Sequence, residues 1–346
     1  MNLLQIFDLL KKTNPFQLFR IKKFHNSATT YARHYMASYC LCSLFHIGFL
    51  DVLEKNMVVD MDVFLKGKNI NREILNAICE YLFSLRIFNK TGNLYSLGPK
   101  GKDLLKYSKG TFDFIYAYAP LFENLVSLLC NEKKYNVDVF RRDYYVAKAT
   151  AEVSQFIPIP IVKDIIKKYN FKTVWDIGCG SAAFLLQICG TSDLKGYGID
   201  ISEDAIRLAH ESINKQALGQ KVKVQAGDIL NIGKYKRIFN NVDVVTCMFV
   251  LHEFLSKGEE VVIDLLKNIK DNFPGKYLII CELCKLSPIL LRKHPTAIVE
   301  HHLFHALSQQ SLLTIKEWRV IFRKAVYEIV EEKRYDFAGQ VYFVIV

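Results

Sequence analysis

Apolar and polar positions change their rhythm partway along the chain. Between about Ala37 and Glu54 apolar residues recur at helical spacing, at Leu41, Leu44, Phe45, Phe49, Leu50 and Leu53, which predicts a helix with one wide buried stripe. A second helix is predicted from about Arg72 to Leu85. The segment RIFNKTGNLYSLGPKGKDLL follows, with short apolar stretches on either side of Thr91-Gly92-Asn93, and reads as a small hairpin. Helix, helix, hairpin is the order of a winged helix. Residues from about Gly110 to Ala151 are rich in Phe and Tyr, and helical signal resumes through PIVKDIIKKY, ending before Asn170.

Beyond Lys172 short apolar runs alternate with helical stretches. TVWDIG, KGYGID, VKVQAG, DVVTCMFV and YLIICEL read as strands, and AAFLLQIC, EDAIRLAHESINKQAL and EEVVIDLLKNIKDNF as helices. This alternation predicts an α/β fold, a doubly wound and mostly parallel Rossmann-like sheet that binds its ligands beyond the carboxyl ends of the strands. The expected organisation is a mainly helical, winged-helix-like domain over 1–150 and a sheet domain over 151–346.

Charge changes this picture little. The formal net charge of +11 over 346 residues permits contact with nucleic acid, but the basic residues are spread along the chain. The candidate recognition helix, REILNAICEYLFSLR, carries Arg72 and Arg86 only at its ends, with Leu75, Ile78, Tyr81 and Leu82 between them. A helix of this kind is made for packing, so a dimerisation or substrate-lid role is expected and no nucleic acid. The nine cysteines, an odd count, sit mostly inside apolar runs and read as reduced thiols of a cytoplasmic protein. Cys281 and Cys284 form a CxxC pair without the second pair that a four-sulfur zinc site needs. No apolar run reaches the roughly eighteen residues of a membrane span, so no transmembrane segment is expected. The first thirty residues lack the basic start and apolar centre of a secretory signal.

The chemistry concentrates at the strand ends. Asp176-Ile177-Gly178-Cys179-Gly180-Ser181 lies between a strand and a helix, and its two glycines let the backbone turn sharply and approach a ligand closely. Asp176, just before them, repels a pyrophosphate and suits a ligand that carries a cation. Asp200 ends the next strand, where an acid can accept both hydroxyls of a ribose. Asp228, in QAGDIL, ends the third and can accept from an adenine amino group. Three acids at three successive strand ends describe a pocket for a positively charged nucleoside.

DIGCGSAAF, GYGIDIS, AGDIL and VDVVTCMFVLHEF, in that order, resemble the successive motifs of class I S-adenosylmethionine-dependent methyltransferases, from roughly Phe171 to the C-terminus. The resemblance implies that Asp176, Gly178 and Gly180 meet the methionine part of the cofactor, Asp200 the ribose, and Asp228 with Ile229 the adenine. Ile201 and Met248 complete the implied cofactor set. The first half is similar to the dimerisation domain of the small-molecule O-methyltransferase type, which implies a homodimer.

His252 and Glu253 fall at the end of MFVLHEF, where the resembled O-methyltransferases place a histidine as general base on a hydroxyl. A second cluster, Glu300, His301, His302 and His305, lies in IVEHHLFHALSQQ. His301 and His305 stand four apart and His302 and His305 three apart, so either pair can share a helix face. With His252 and Glu253 they can make a two-histidine, one-carboxylate metal site, first as His252, Glu253 and His302, with His305 and His301 as replacements. A histidine-rich helix that only lines the substrate pocket is the alternative.

The run from LHEFLSKG onward also looks like the metal-dependent C-methyltransferases of α-keto acids. That resemblance implies an iron or zinc ion holding the keto acid while its enolate attacks the methyl group. Two other outcomes stay open: metal-independent O-methylation with His252 as base, and a winged-helix DNA-binding regulator that senses S-adenosylmethionine without turning it over. The expected substrate is a small organic molecule. Arg141 and Arg142, beside Tyr144 and Tyr145, either hold an anionic group on it or form a solvated face.

Overall fold

The computed structural model describes residues 3–12, 14–235, 241–293 and 296–346. The chain divides into two compact units, Met1–Tyr116 and Ala117–Val346. The boundary expected at 150 lies inside the second unit, because residues 117–150 pack there. Tyr118 stacks on Phe304, the Arg142 amide donates to the Ala117 carbonyl, and the helix Asp143–Ser154 packs on the helices Ala183–Gly190 and Glu203–Lys215.

In the first unit the helix expected over Ala37–Glu54 is two helices, Pro15–His46 and Phe49–Asn56, bent by 78°. The break is Gly48, whose φ of 73° ends the helical path although the apolar spacing continues across it. The helix Arg72–Ser84 starts where the Asn71 side chain accepts from the Ile74 amide, and buries Leu75, Cys79 and Leu82. The hairpin is present as β2 (Phe88–Thr91) and β3 (Leu94–Leu97), and β1 (Val58–Asp60) adds to it on the far side of β3. Phe49, edge-on to Phe64, anchors the core between them. No single helix among the described residues is long and apolar enough to cross a membrane.

The second unit is built on β4 (Thr173–Ile177), β5 (Lys195–Asp200), β6 (Val222–Ala226), β7 (Val244–Met248), β8 (Tyr277–Leu283), β9 (Ile329–Tyr335) and β10 (Gln340–Ile345). They form one sheet in the order β6-β5-β4-β7-β8-β10-β9, parallel except for β10, which runs antiparallel to both neighbours. The first five strands are those read from the sequence. Alternation within each strand sends Trp175, Val245 and Ile280 to one buried layer and Val174, Val244 and Ile279 to the other. Both faces are covered by helices, which is why these strands read as unbroken apolar runs. Trp175, closed to solvent against Phe273 at 4.8 Å, contributes roughly 2–3 kcal/mol by burial. From β4 the sheet grows to β5 and β6 on one side and to β7 and β8 on the other, so the switch point of the topology lies beyond the end of β4.

Candidate active site

The glycine loop leaves β4 at this switch point. The amides of Gly178 and Cys179 both donate to the Ile199 carbonyl, at 2.8 and 3.0 Å, which ties the turn to the end of β5. Gly178 and Gly180 have φ of 72° and 52°, values that strain any residue with a Cβ. Their empty sides differ. A Cβ on Gly178 would collide with the Val250 side chain, whereas one on Gly180 would stand in open space. Asp200 is set by the backbone: Oδ2 accepts from the Gly180 amide at 2.8 Å and Oδ1 from the Ser202 amide at 2.9 Å. Beside it Ile201 is 76% exposed, an apolar surface without cover. At the end of β6, Asp228 Oδ1 accepts from the Leu230 amide and Oδ2 from the Asn231 side chain, while Ile229 is buried in the core. Met248, half-buried, closes β7.

Asp176 is unlike the other two acids. It is sealed beneath the loop, where the Thr246 hydroxyl donates to Oδ1 at 2.7 Å. Burial pushes its carboxyl up, the Thr246 hydrogen bond opposes this, and the charge of Asp200 adds to it, for a value of about 7. An open, glycine-lined bend between an amide-anchored acid and an exposed apolar side chain fits S-adenosylmethionine, with its cationic methionine part, its ribose and its flat adenine.

A second cluster lies past the end of β7. Phe249 takes a left-handed conformation, φ 58°, with its amide donating to the Cys281 carbonyl, and this turns the chain into the short helix Leu251–Phe254. His252, on that helix, is buried. Its Nδ1 lies 2.7 Å from Glu282 Oε2, and Glu282 Oε1 accepts from the Leu251 amide at 2.8 Å. Glu282 has no exposed surface, so one carboxylate from β8 fixes both the ring and the backbone of the histidine. Burial pushes the His252 imidazole down, but the Glu282 carboxylate, with Glu253 assisting, holds it above the ordinary histidine value.

The other ring nitrogen of His252, Nε2, faces His305 Nε2 at 3.3 Å. His305 Nδ1 lies 2.6 Å from the His301 carbonyl and so carries the hydrogen that donates to it. Burial, then the charge of His252, push His305 down to about 3. Both rings thus spend Nδ1–H on a fixed acceptor and aim Nε2 at one point, where only a proton or another cation relieves two facing lone pairs. Glu253 Oε1 stands 3.9 Å from His252 Nε2 and 3.3 Å from the Arg141 guanidinium.

The expected metal candidates His252 and His302 are placed apart by the fold. His302 turns to the end of β8, with Nε2 3.2 Å from the Cys284 carbonyl and 3.4 Å from the Leu286 amide, and it is His305 that meets His252. Among the described residues, no group of three or more His, Cys, Asp or Glu side chains is gathered closely enough to hold a metal ion. Sequence reasoning passed over Glu282, although a lone acid inside the apolar run YLIICEL signals a buried charge that must be paired. His305 also had a signal, since it lies seven residues after the buried Ile298 and so on the inward stripe of its helix. All nine cysteines are free thiols, most of them buried.

Residues 170–333 match the family described as "Methyltransferase domain". The chain is 23% identical over 313 residues to methyltransferase ungE' of Aspergillus campestris, a match that covers 86% of this chain and 90% of that one. It is 30% identical over 109 residues to the indolepyruvate C-methyltransferase of Streptomyces griseus, but this covers only 31% of the chain and 32% of that enzyme. The fold is similar to that of the mitomycin 7-O-methyltransferase MmcR, with a TM-score of 0.64 at 12% identity over 95% of this chain and 99% of that one. Residues 170–333 of the sheet unit are thus similar to a methyltransferase domain. The protein is an S-adenosylmethionine-dependent methyltransferase.

Proposed function

We propose that the protein methylates an acidic position of a small organic molecule and that His252 removes the proton from that position. The carrying observation is the geometry of His252: a buried imidazole past the end of β7, held by Glu282 at Nδ1, with Nε2 free of any carboxylate hydrogen bond and directed at the neutral ring of His305. When bound, S-adenosylmethionine supplies a methyl group on a sulfonium whose sulfur keeps the electron pair of the broken bond. His252 Nε2 takes the acceptor's proton, and the lone pair left on the acceptor atom forms the new bond to the methyl carbon. The Glu282 carboxylate stabilises the imidazolium so formed, and His305 Nε2 accepts the hydrogen bond from its new N–H. Asp200 orients the cofactor's ribose and Ile201 offers an apolar face to its adenine. Asp176, Gly178, Gly180, Asp228, Ile229 and Met248 belong to the same cofactor set on this reading. The exposed Phe16, Phe24 and Tyr31 on the helix Pro15–His46 support a homodimer in which a second copy covers them.

One observation favours a second reading, metal-assisted C-methylation of an α-keto acid. The paired Nε2 atoms, each with Nδ1 tied to a carboxylate or a carbonyl, have the outer-shell arrangement typical of metal-bound histidines. On this reading His252 and His305 would hold an iron or zinc ion, and Glu253, 3.9 Å from His252 Nε2 and not gathered with them as a third ligand, would have to turn inward to join them, whereas His302 points elsewhere. When bound, the ion would polarise the keto oxygen and acidify the neighbouring carbon.

The test incubates the protein and S-adenosylmethionine with a panel of aryl 2-oxo acids and phenols, after chelation and after readdition of iron or zinc, and locates the new methyl group by NMR. Loss of turnover in His252→Ala by about 100-fold or more supports the base, and turnover at the native rate overturns it. Carbon methylation that vanishes on chelation establishes the metal reading, whereas oxygen methylation indifferent to chelation removes it.

A further inference from the structure

Arg141 is a largely buried cation whose terminal donors are poorly used. Its side chain is 13% exposed, and its Nε–H is anchored on Asp143 at 2.7 Å. Toward the described residues the terminal nitrogens make long contacts: NH1 to the Tyr118 hydroxyl at 3.4 Å, and NH2 to Glu253 Oε1 and Oε2 at 3.3 and 3.5 Å. A guanidinium fork normally holds a carboxylate at about 2.7–2.9 Å with two parallel hydrogen bonds. Glu253 approaches through one nitrogen only and is 40% exposed, so it fills the place of a bidentate partner without making its bonds. The same Glu253 has another partner within reach, since its Oε1 lies 3.9 Å from His252 Nε2. The surroundings suit a flat organic body: Tyr118 stacks on Phe304 at 4.4 Å, and Phe122 meets Phe304 edge-on. The Arg142 amide, bonded to the Ala117 carbonyl, fixes the backbone that carries Arg141.

We propose that Arg141 is the anchor for a carboxylate on the methyl acceptor, and that Glu253 occupies this anchor until the acceptor displaces it toward His252. The substrate class is then an aryl or alkyl carboxylic acid whose acidic O–H or C–H lies close to the carboxylate, as in 2-oxo and 2-hydroxy acids. Arg141 acts as a specificity-determining residue, and Glu253 as a positioning residue that reports occupancy to the base. Nothing in this assignment depends on which acceptor atom is methylated. It does rest on His252 marking the acceptor site.

The experiment measures binding without turnover, so that failure of the base reading and failure of the anchor are told apart. Calorimetry in saturating S-adenosylhomocysteine compares phenylpyruvate, 3-phenyllactate and salicylate with their methyl esters. At least one acid is expected to bind about 30-fold or more tightly than its ester. Arg141→Gln is expected to erase that difference while its affinity for S-adenosylhomocysteine stays native, which shows that the fold is kept. Glu253→Gln, at a half-exposed position, is expected to tighten acid binding several-fold because the internal competitor has lost its charge. The anchor is overturned if every acid binds no better than its ester, if Arg141→Gln weakens acid and ester alike, or if Glu253→Gln leaves acid binding unchanged. An acid that binds as expected while His252→Ala turns over at the native rate leaves the anchor standing and removes the base.

Discussion

The cofactor side and the acceptor side of the sheet are held in different ways. At the ends of β4, β5 and β6 the carboxylates of Asp200 and Asp228 are positioned mainly by backbone amides within their own loops and the neighbouring one. Past β7, by contrast, side chains hold side chains across long stretches of sequence: Glu282 holds His252, His252 meets His305, and Arg141 bridges to Glu253. The first arrangement is rigid once the sheet has formed, because amides do not titrate or change rotamer. The second is a mostly buried chain in which the Glu282 carboxylate holds the His252 imidazole up and the charge of His252 helps to push His305 down. Substitutions on the cofactor side should therefore act locally, and those on the acceptor side should propagate.

The largest expected effect breaks the acceptor chain at its head. Glu282→Gln keeps the volume but removes the carboxylate that raises the His252 imidazole, leaving burial to push it down. Below its own pKa His252 carries a proton and cannot act as base, so kcat/KM rises with pH through that value. In the native protein the acid limb is expected above the ordinary histidine value of about 6.5, since Glu282 holds the imidazole up. In Glu282→Gln the limb is expected to move to lower pH while kcat at the plateau falls roughly 100-fold, because the imidazole loses its orientation and the charge that steadies its protonated form. A pH profile whose acid limb stays in place would assign the titration to a group other than His252.

A smaller and purely local effect is expected across the sheet. Asp200→Ala removes both acceptor oxygens, and a hydrogen bond to a charged group contributes about 1.5–3 kcal/mol, so the dissociation constant for S-adenosylmethionine should rise roughly 10- to 100-fold. The acid limb of His252 and the plateau kcat at saturating cofactor should not move. Calorimetry and a pH profile on the same variant check both halves, and a displaced limb would show that the two sides are coupled after all.

The same contrast explains what could be read from the chain beforehand. A strand-end acid beside a glycine bend is a short-range pattern, so the placement of Asp176, Gly178, Gly180, Asp200 and Asp228 at the ends of their strands is legible together with the five parallel strands. The long-range partners were not. The choice of His305 over His302 depends on how the helix Ile298–Leu307 is rotated against the end of β8, which three histidines within five positions leave open. β9, Ile329–Tyr335, went unread because it is a partly exposed edge strand rich in charge, without the apolar run that marks the inner strands, whereas β10, Gln340–Ile345, carries such a run and was passed over. The bend at Gly48 and the packing of residues 117–150 in the second unit are also tertiary choices that helical spacing does not encode.

The two loop glycines offer the finest test of where one side ends and the other begins, because they share a backbone strain but face different neighbours. Alanine in the left-handed region costs roughly 1–2 kcal/mol at either position. At Gly180 nothing further is added, since the new methyl group enters open space on the side where the cofactor is expected. At Gly178 the methyl group runs into Val250, two residues before His252, and overpacking adds roughly 1–3 kcal/mol. For a domain of this size each kcal/mol shifts Tm by about 2–4 °C, so Gly178→Ala should melt several degrees below Gly180→Ala. Function should divide the opposite way: Gly180→Ala weakens cofactor binding and leaves the acid limb of His252 unmoved, whereas Gly178→Ala, by displacing Val250, disturbs the base as well. Equal melting temperatures for the two variants would mean that Val250 yields freely, and the separation of the two sides at this loop would then have no mechanical basis.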